Sequence, residues 1–179
     1  MTNRRTTPAP DGDLASFATD SFTDHGVTHR MFRKGSGPCV IVISEMPGIS
    51  PLVLGFADRV VGLGLSVVLP DLFGTAGRDP RTDGKVGAAL YAGKSIIGAC
   101  ISKEFSTFAV GKSSPVVDWL RALAAQEHTA CGGPGVGVVG MCFTGGFALA
   151  MAVDDRVIAP VLSQPSLPLQ IGITQSERI

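Results

Sequence analysis

Along this chain the spacing of apolar positions switches between two periods, and each switch marks an element. Cys39 to Ile43 is a continuous apolar run between Gly37-Pro38 and Ser44-Glu45, the pattern of a strand buried on both faces of a parallel sheet. Ser50-Pro51 then supplies a helix cap followed by proline at the first helical position. Leu52, Phe56, Val60 and Leu63 recur along one face of that helix until Gly62 and Gly64 stop it. Ser66 to Leu69 predicts the next strand, left through Pro70-Asp71, so this segment is a βαβ unit with a right-handed crossover. Ser114-Pro115 repeats the helix start, with Val116, Leu120, Leu123 and Ala124 on one face and Gly132-Gly133-Pro134 at the end. Val136, Val138 and Val139 give a strand, whereas Phe143, Phe147, Leu149, Ala150 and Met151 suit a helix, so the period changes across Gly140–Thr144. Val157 to Leu162 predicts a last strand. Upstream, Ser16–Phe22 and Val27–Phe32 form a hairpin around Asp24-His25-Gly26. These elements describe an α/β fold: a doubly wound, mostly parallel sheet with an N-terminal hairpin.

Residues 1–13 are polar and proline-rich and read as a disordered tail before a single domain, 14–179. The segment Gly74 to Lys112 is rich in glycine and holds no period, and it is expected to fold over the site. Thr129 to Val153 carries no charge and exceeds the length of a membrane span, but Gly132-Gly133-Pro134-Gly135 cuts it into a helix end and a strand. No membrane segment is assigned.

Composition narrows the partners. The chain has 179 residues, 15 basic against 15 acidic, so no electrostatic footprint for nucleic acid is visible and a small molecule is the expected partner. Cys39, Cys100, Cys131 and Cys142 show no close-paired spacing and no secretory leader precedes them, which points to a reducing cytoplasm. His25 and His29 have a spacing that suits a metal only on a helix; on a strand they are read as exposed, and neither metal nor cofactor is assigned. Oligomeric state is not encoded in any pattern found.

The candidate chemistry sits at the strand-to-helix corner. Cys142 occupies the position of a nucleophile elbow, where a tight turn exposes the reactive side chain and small neighbours, here Gly140, Gly145 and Gly146, let two backbones approach. A thiol there faces the unpaired N–H groups and positive dipole end of a helix, which favour the thiolate. The N–H of Phe143 is placed to donate to an oxyanion. The competing reading is a buried structural cysteine among packing glycines. Ligands of parallel sheets bind outside the carboxyl ends of the strands, which gathers Ser44-Glu45-Met46, Pro70-Asp71, Met141-Cys142 and Ser163-Gln164 at one rim. Asp71, Ser163 and Gln164 are the pocket candidates. His128, Asp154 and Asp155 lie in connections at the opposite edge.

Two phosphate-type motifs fail on context. Ala88–Ser95, with Gly93-Lys94-Ser95, resembles a phosphate loop but has no strand before it, and Gly135–Gly140 spells a dinucleotide fingerprint inside a strand rather than after one.

VISEMPGIS, VVLPDLFG and GVVGMCFTGGFALAMA, in this order and separation, resemble the dienelactone hydrolase family of α/β-hydrolases from about Val40 to Pro165. That resemblance implies hydrolysis of a small carboxylic ester or lactone through an acyl-enzyme on Cys142. It implies that Phe143 and Met46 supply oxyanion N–H groups and that Glu45 contacts the thiol, accepting its proton if burial makes the carboxylate basic enough. Thr144 departs from the family, which has glycine there. The family's triad aspartate and histidine follow later strands, beyond Ile179, so the resemblance implies a C-terminally truncated fold with impaired turnover. The family's carboxylate-binding arginines have no secure match here; Arg78 and Arg81 are near candidates by position only. A catalytically silent, hydrolase-like domain that binds a ligand or partner stays open as the alternative, with nucleotide binding as a weaker one.

Overall fold

The computed structural model describes residues 11–83, Gly87, Leu90 and residues 114–165. They build a six-stranded sheet: β1 (Ala18–Asp24), β2 (Val27–Lys34), β3 (Cys39–Ile43), β4 (Ser66–Pro70), β5 (Val136–Met141) and β6 (Val157–Ser163), in the order β1-β2-β4-β3-β5-β6. β4, β3, β5 and β6 are parallel, while β2 runs antiparallel to both β1 and β4. The hairpin turn has His25 at φ 46° and Gly26 at φ 80°, the pair of positive angles that matches strand twist in a two-residue loop.

Helix α1 (Pro51–Val61) covers one face of the sheet, and α2 (Pro115–Cys131) with α3 (Gly145–Met151) covers the other. The strand alternation fits: Ile41, Ile43, Val68, Val136 and Val138 pack with α2 and α3, whereas Val42, Val67, Leu69 and Val139 pack with α1. The sheet is doubly wound, as the periodicity predicts. Ser50 caps α1 through its hydroxyl, which accepts from the Val53 N–H at 3.4 Å.

The buried face of α1 differs from the predicted one. Val53, Leu54, Ala57 and Val60 point inward, Leu52 is half exposed, and Leu63 lies beyond the helix end, exposed. Two apolar stripes one position apart compete on this helix, and the stripe ending within the helical span is the one buried. Residues 11–13, assigned to the tail, are held against α1: the Gly12 N–H donates to the Pro51 carbonyl at 2.8 Å, and Asp13 caps a short 3₁₀ turn, Leu14–Ser16. The rest of the proposed tail, and most of the Gly74–Lys112 segment with its Gly93-Lys94-Ser95 motif, lie outside the described residues.

No described helix is long and apolar enough to cross a membrane. The uncharged run is split as expected, α2 ending at Cys131 and Gly132 adopting φ 67°. All of Gly135–Gly140 but its first residue is strand, which removes the dinucleotide reading.

Candidate active site

The site is built where two neighbouring parallel strands end. Ile43 of β3 pairs with Gly140 of β5, so Glu45 and Cys142, each two residues further on, leave adjacent strands at the same level. Adjacent strands lie about 4.8 Å apart, so both residues leave the sheet at the same C-terminal rim.

Cys142 is a free, half-buried thiol and holds φ at 55°, a left-handed angle that a residue with a Cβ adopts only when its surroundings impose it. The turn around it is a single 3₁₀ step, Cys142–Thr144, leading directly into α3. Gly140 explains how the turn closes. A Cβ on Gly140 would stand 2.3 Å from the Thr144 carbonyl oxygen, so only glycine lets the outgoing helix fold back this tightly. Pro165, just after β6, packs on Gly145, 3.1 Å from where a Cβ would be.

Thr144 occupies the place of a family glycine, and the structure shows what it does. Fully buried, its hydroxyl accepts from the Met141 N–H at 2.8 Å and shares its one proton between the carbonyls of Ile43 (2.9 Å) and Met141 (2.8 Å). The side chain bolts the end of β3 to the end of β5. Nothing in the spacing signals this, because the bonded partners are distant in sequence. Phe143, half-buried, meets Phe147 edge-on at 5.3 Å between ring centroids.

Glu45 corrects one expectation: it is exposed, so the burial that was to make it basic is absent. β3 ends at Ile43, and the chain then turns outward through the cis Met46–Pro47 bond, with the Gly48 N–H donating to the Glu45 carbonyl at 2.9 Å. Ser44, next to it, is buried and its hydroxyl has no partner among the described residues. Glu45 lines a cavity of about 140 Å³ with Pro47, Ser50, Leu52, Asp79 and Arg81 among its other walls; Cys142 is not one of them. Arg81 is engaged there by two carboxylates. Its Nε and Nη2 bond Asp79 at 2.9 Å, and Nη2 also reaches Asp11 at 2.6 Å. These bonds raise the Arg81 pKa, Asp79 contributing first, and lower that of Asp79.

The remaining candidates separate. Ser163 pairs with Met141 across β5 and β6 and so stands beside the elbow, followed by exposed Gln164 at φ 50°. Asp71 leaves β4 at the same rim but is clamped by Arg30, whose Nε and Nη2 donate to Oδ2 at 3.0 and 2.7 Å. That ion pair ties β2 to the end of β4.

None of the chain's three histidines reaches Cys142. His128 bonds the Gly133 carbonyl at 3.1 Å in the connection entering β5, at the opposite edge of the sheet. His25 is exposed in the hairpin turn beside Asp24, at 2.7 Å. His29 lies towards the active rim on β2, edge-on to Trp119 at 4.9 Å, but β2 is three strand spacings from β5, about 14 Å.

A doubly wound sheet carrying a strained residue on a strand–turn–helix corner defines the α/β-hydrolase class. Solved structures agree at the level of fold. The structure described as m3DLH superimposes with a TM-score of 0.54 at 19% identity, over 84% of this chain and 60% of its own. The thioesterase domain from the curacin biosynthetic pathway gives 0.54 at 16%, over 89% and 48%. A mutant haloalkane dehalogenase from Agrobacterium tumefaciens gives 0.50 at 16%, over 84% and 42%. The chain thus spans at most about 60% of the length of these relatives. No curated protein matches the sequence significantly. The model of the dienelactone hydrolase family matches residues 29–176, and the chain belongs to that family.

Proposed function

We propose that this chain carries the acylating half of a hydrolase acting on a small carboxylic ester or lactone, with Cys142 as nucleophile. The left-handed backbone of Cys142, enforced by the Gly140 contact, supports this reading above all, because strain of this kind on a half-buried thiol has no packing purpose. In the proposed step the Cys142 thiolate adds to the carbonyl carbon, the N–H groups of Phe143 and Met46 bond the oxyanion, and the alkoxide leaves to give a thioester. The positive end of the helix that begins at the corner favours the thiolate before attack, and Glu45, exposed at the neighbouring strand exit, borders the site. Ser163 and Gln164 border the acyl group, while Asp71 supports the rim through Arg30.

Deacylation is the weak half. It needs a base to activate water, and no histidine lies beside Cys142. The reading therefore predicts a burst with slow turnover. On mixing with p-nitrophenyl acetate, the chain should release about one equivalent of nitrophenolate per protein and then nearly stop, leaving an acetyl group on the Cys142 peptide. Cys142→Ser should abolish the burst. A chain that binds the ester without any burst would instead support the silent ligand-binding alternative.

A further inference from the structure

The other end of the sheet holds a second cluster that the proposed chemistry does not use. Cys39 opens β3, Ser66 opens β4, and Glu127 and Cys131 stand one turn apart at the end of α2, so all four converge at the N-terminal edge of the parallel strands. The two sulfurs and a carboxylate oxygen lie within 4.8 Å of one another. Glu127 Oε2 is 3.9 Å from each sulfur, and Ser66 Oγ is 3.3 Å from Cys131 Sγ. Cys39 and Glu127 are buried, whereas Cys131 is half-exposed and opens the cluster to solvent.

We propose that Cys39, Glu127 and Cys131 form a binding site for a thiophilic divalent cation, with zinc the ion their ligand types match. Distance supports this first. Zinc bonds of about 2.3 Å to sulfur and about 2.0 Å to oxygen, at a tetrahedral angle, set those ligands roughly 3.5 Å apart, so the observed spacing needs only a small contraction. Charge supports it next. Arg33 grips both carboxylate oxygens of Glu127 and also bonds Asp20 at 3.0 Å, so Glu127 is already compensated. Exchanging two thiol protons for one divalent cation then leaves the net charge of the cluster unchanged. The outer contacts are in place as well: Arg33 fixes the carboxylate, and the Ser66 hydroxyl, which donates to the Gly37 carbonyl at 2.9 Å, lies 3.3 Å from the Cys131 sulfur.

The step is a plain exchange in which one M²⁺ replaces two S–H protons, forming two metal–sulfur bonds without oxidation.

The test is to titrate the reduced 179-residue chain with Co²⁺ and then with Zn²⁺. The expected result is near-ultraviolet thiolate-to-cobalt absorption, about two protons released per ion, bleaching by zinc, and protection of the half-exposed Cys131 from alkylation when zinc is present. Cys142→Ser should keep all of this, and Cys131→Ser, at the exposed end of α2, should lose it while folded by circular dichroism. Glu127→Gln leaves Arg33 without its partner, so the alkylation readout on the unmodified chain guards against a variant that fails to fold. Absence of thiolate absorption in the unmodified chain, absorption that survives Cys131→Ser, or equal alkylation of Cys131 with and without zinc would each overturn the site.

Discussion

Cysteines stand at both ends of the same parallel sheet, and the two ends treat the thiol in opposite ways. At the C-terminal rim Cys142 is half-buried on a strained corner at the start of a helix, open to a reactant. At the N-terminal edge Cys39 is sealed among Ile41, Val136 and the α2 side chains, and this burial, with the neighbouring charge of Glu127, holds its proton on. The residue type is the same, and the peptide geometry around it decides the chemistry. Strand direction sets that geometry: helix N-termini and outgoing loops gather at one rim, helix C-termini at the other.

The sharpest way to break this contrast is alkylation. In metal-free protein, iodoacetamide should modify Cys142 at least about 100-fold faster than Cys39, read by peptide mapping over time. Equal rates would mean that the half-buried corner and the sealed strand start do not differ in access. Next in size, Gly140→Ala forces a Cβ against the Thr144 carbonyl and should cost about 3 kcal/mol, measured by urea unfolding, with loss of preferential Cys142 labelling. Thr144→Val removes a hydroxyl that satisfies three backbone groups and should cost about 2 kcal/mol, with Thr144→Ser restoring most of it. A valine variant as stable as the parent would show that the bolt between β3 and β5 is dispensable. Smallest of all, His128→Ala should leave the ester burst unchanged, because its loop lies at the far edge. A tenfold loss, about 1.4 kcal/mol of barrier, in a folded variant would place His128 at the chemistry after all.

Much of the architecture was legible because it follows from period and punctuation. The continuous apolar runs give β3 and β4, the serine–proline starts give α1 and α2, and the glycines at the β5–α3 corner give the elbow. Rims follow too, since strand direction assigns each exit to one edge. What escaped was set by partners far apart in the chain. The exposure of Glu45 depends on how the turn after Ile43 leaves the sheet, and the roles of Asp71 and Arg81 depend on Arg30 and on Asp79 with Asp11. Thr144 looked like a departure from the family pattern, and only its contact with Ile43 shows it to be a fastening. Cys39 and Cys131 lack any suggestive spacing and meet only because a strand start and a helix end share one edge.

The Thr144 fastening also bears on time. Because one hydroxyl holds both Met141 and the end of β3, the two halves of the rim separate only when that hydroxyl lets go. The amide hydrogen of Met141 is thus a clock for the site: its exchange with deuterium counts the openings that part the end of β5 from the end of β3, while the neighbouring strand amides stay protected.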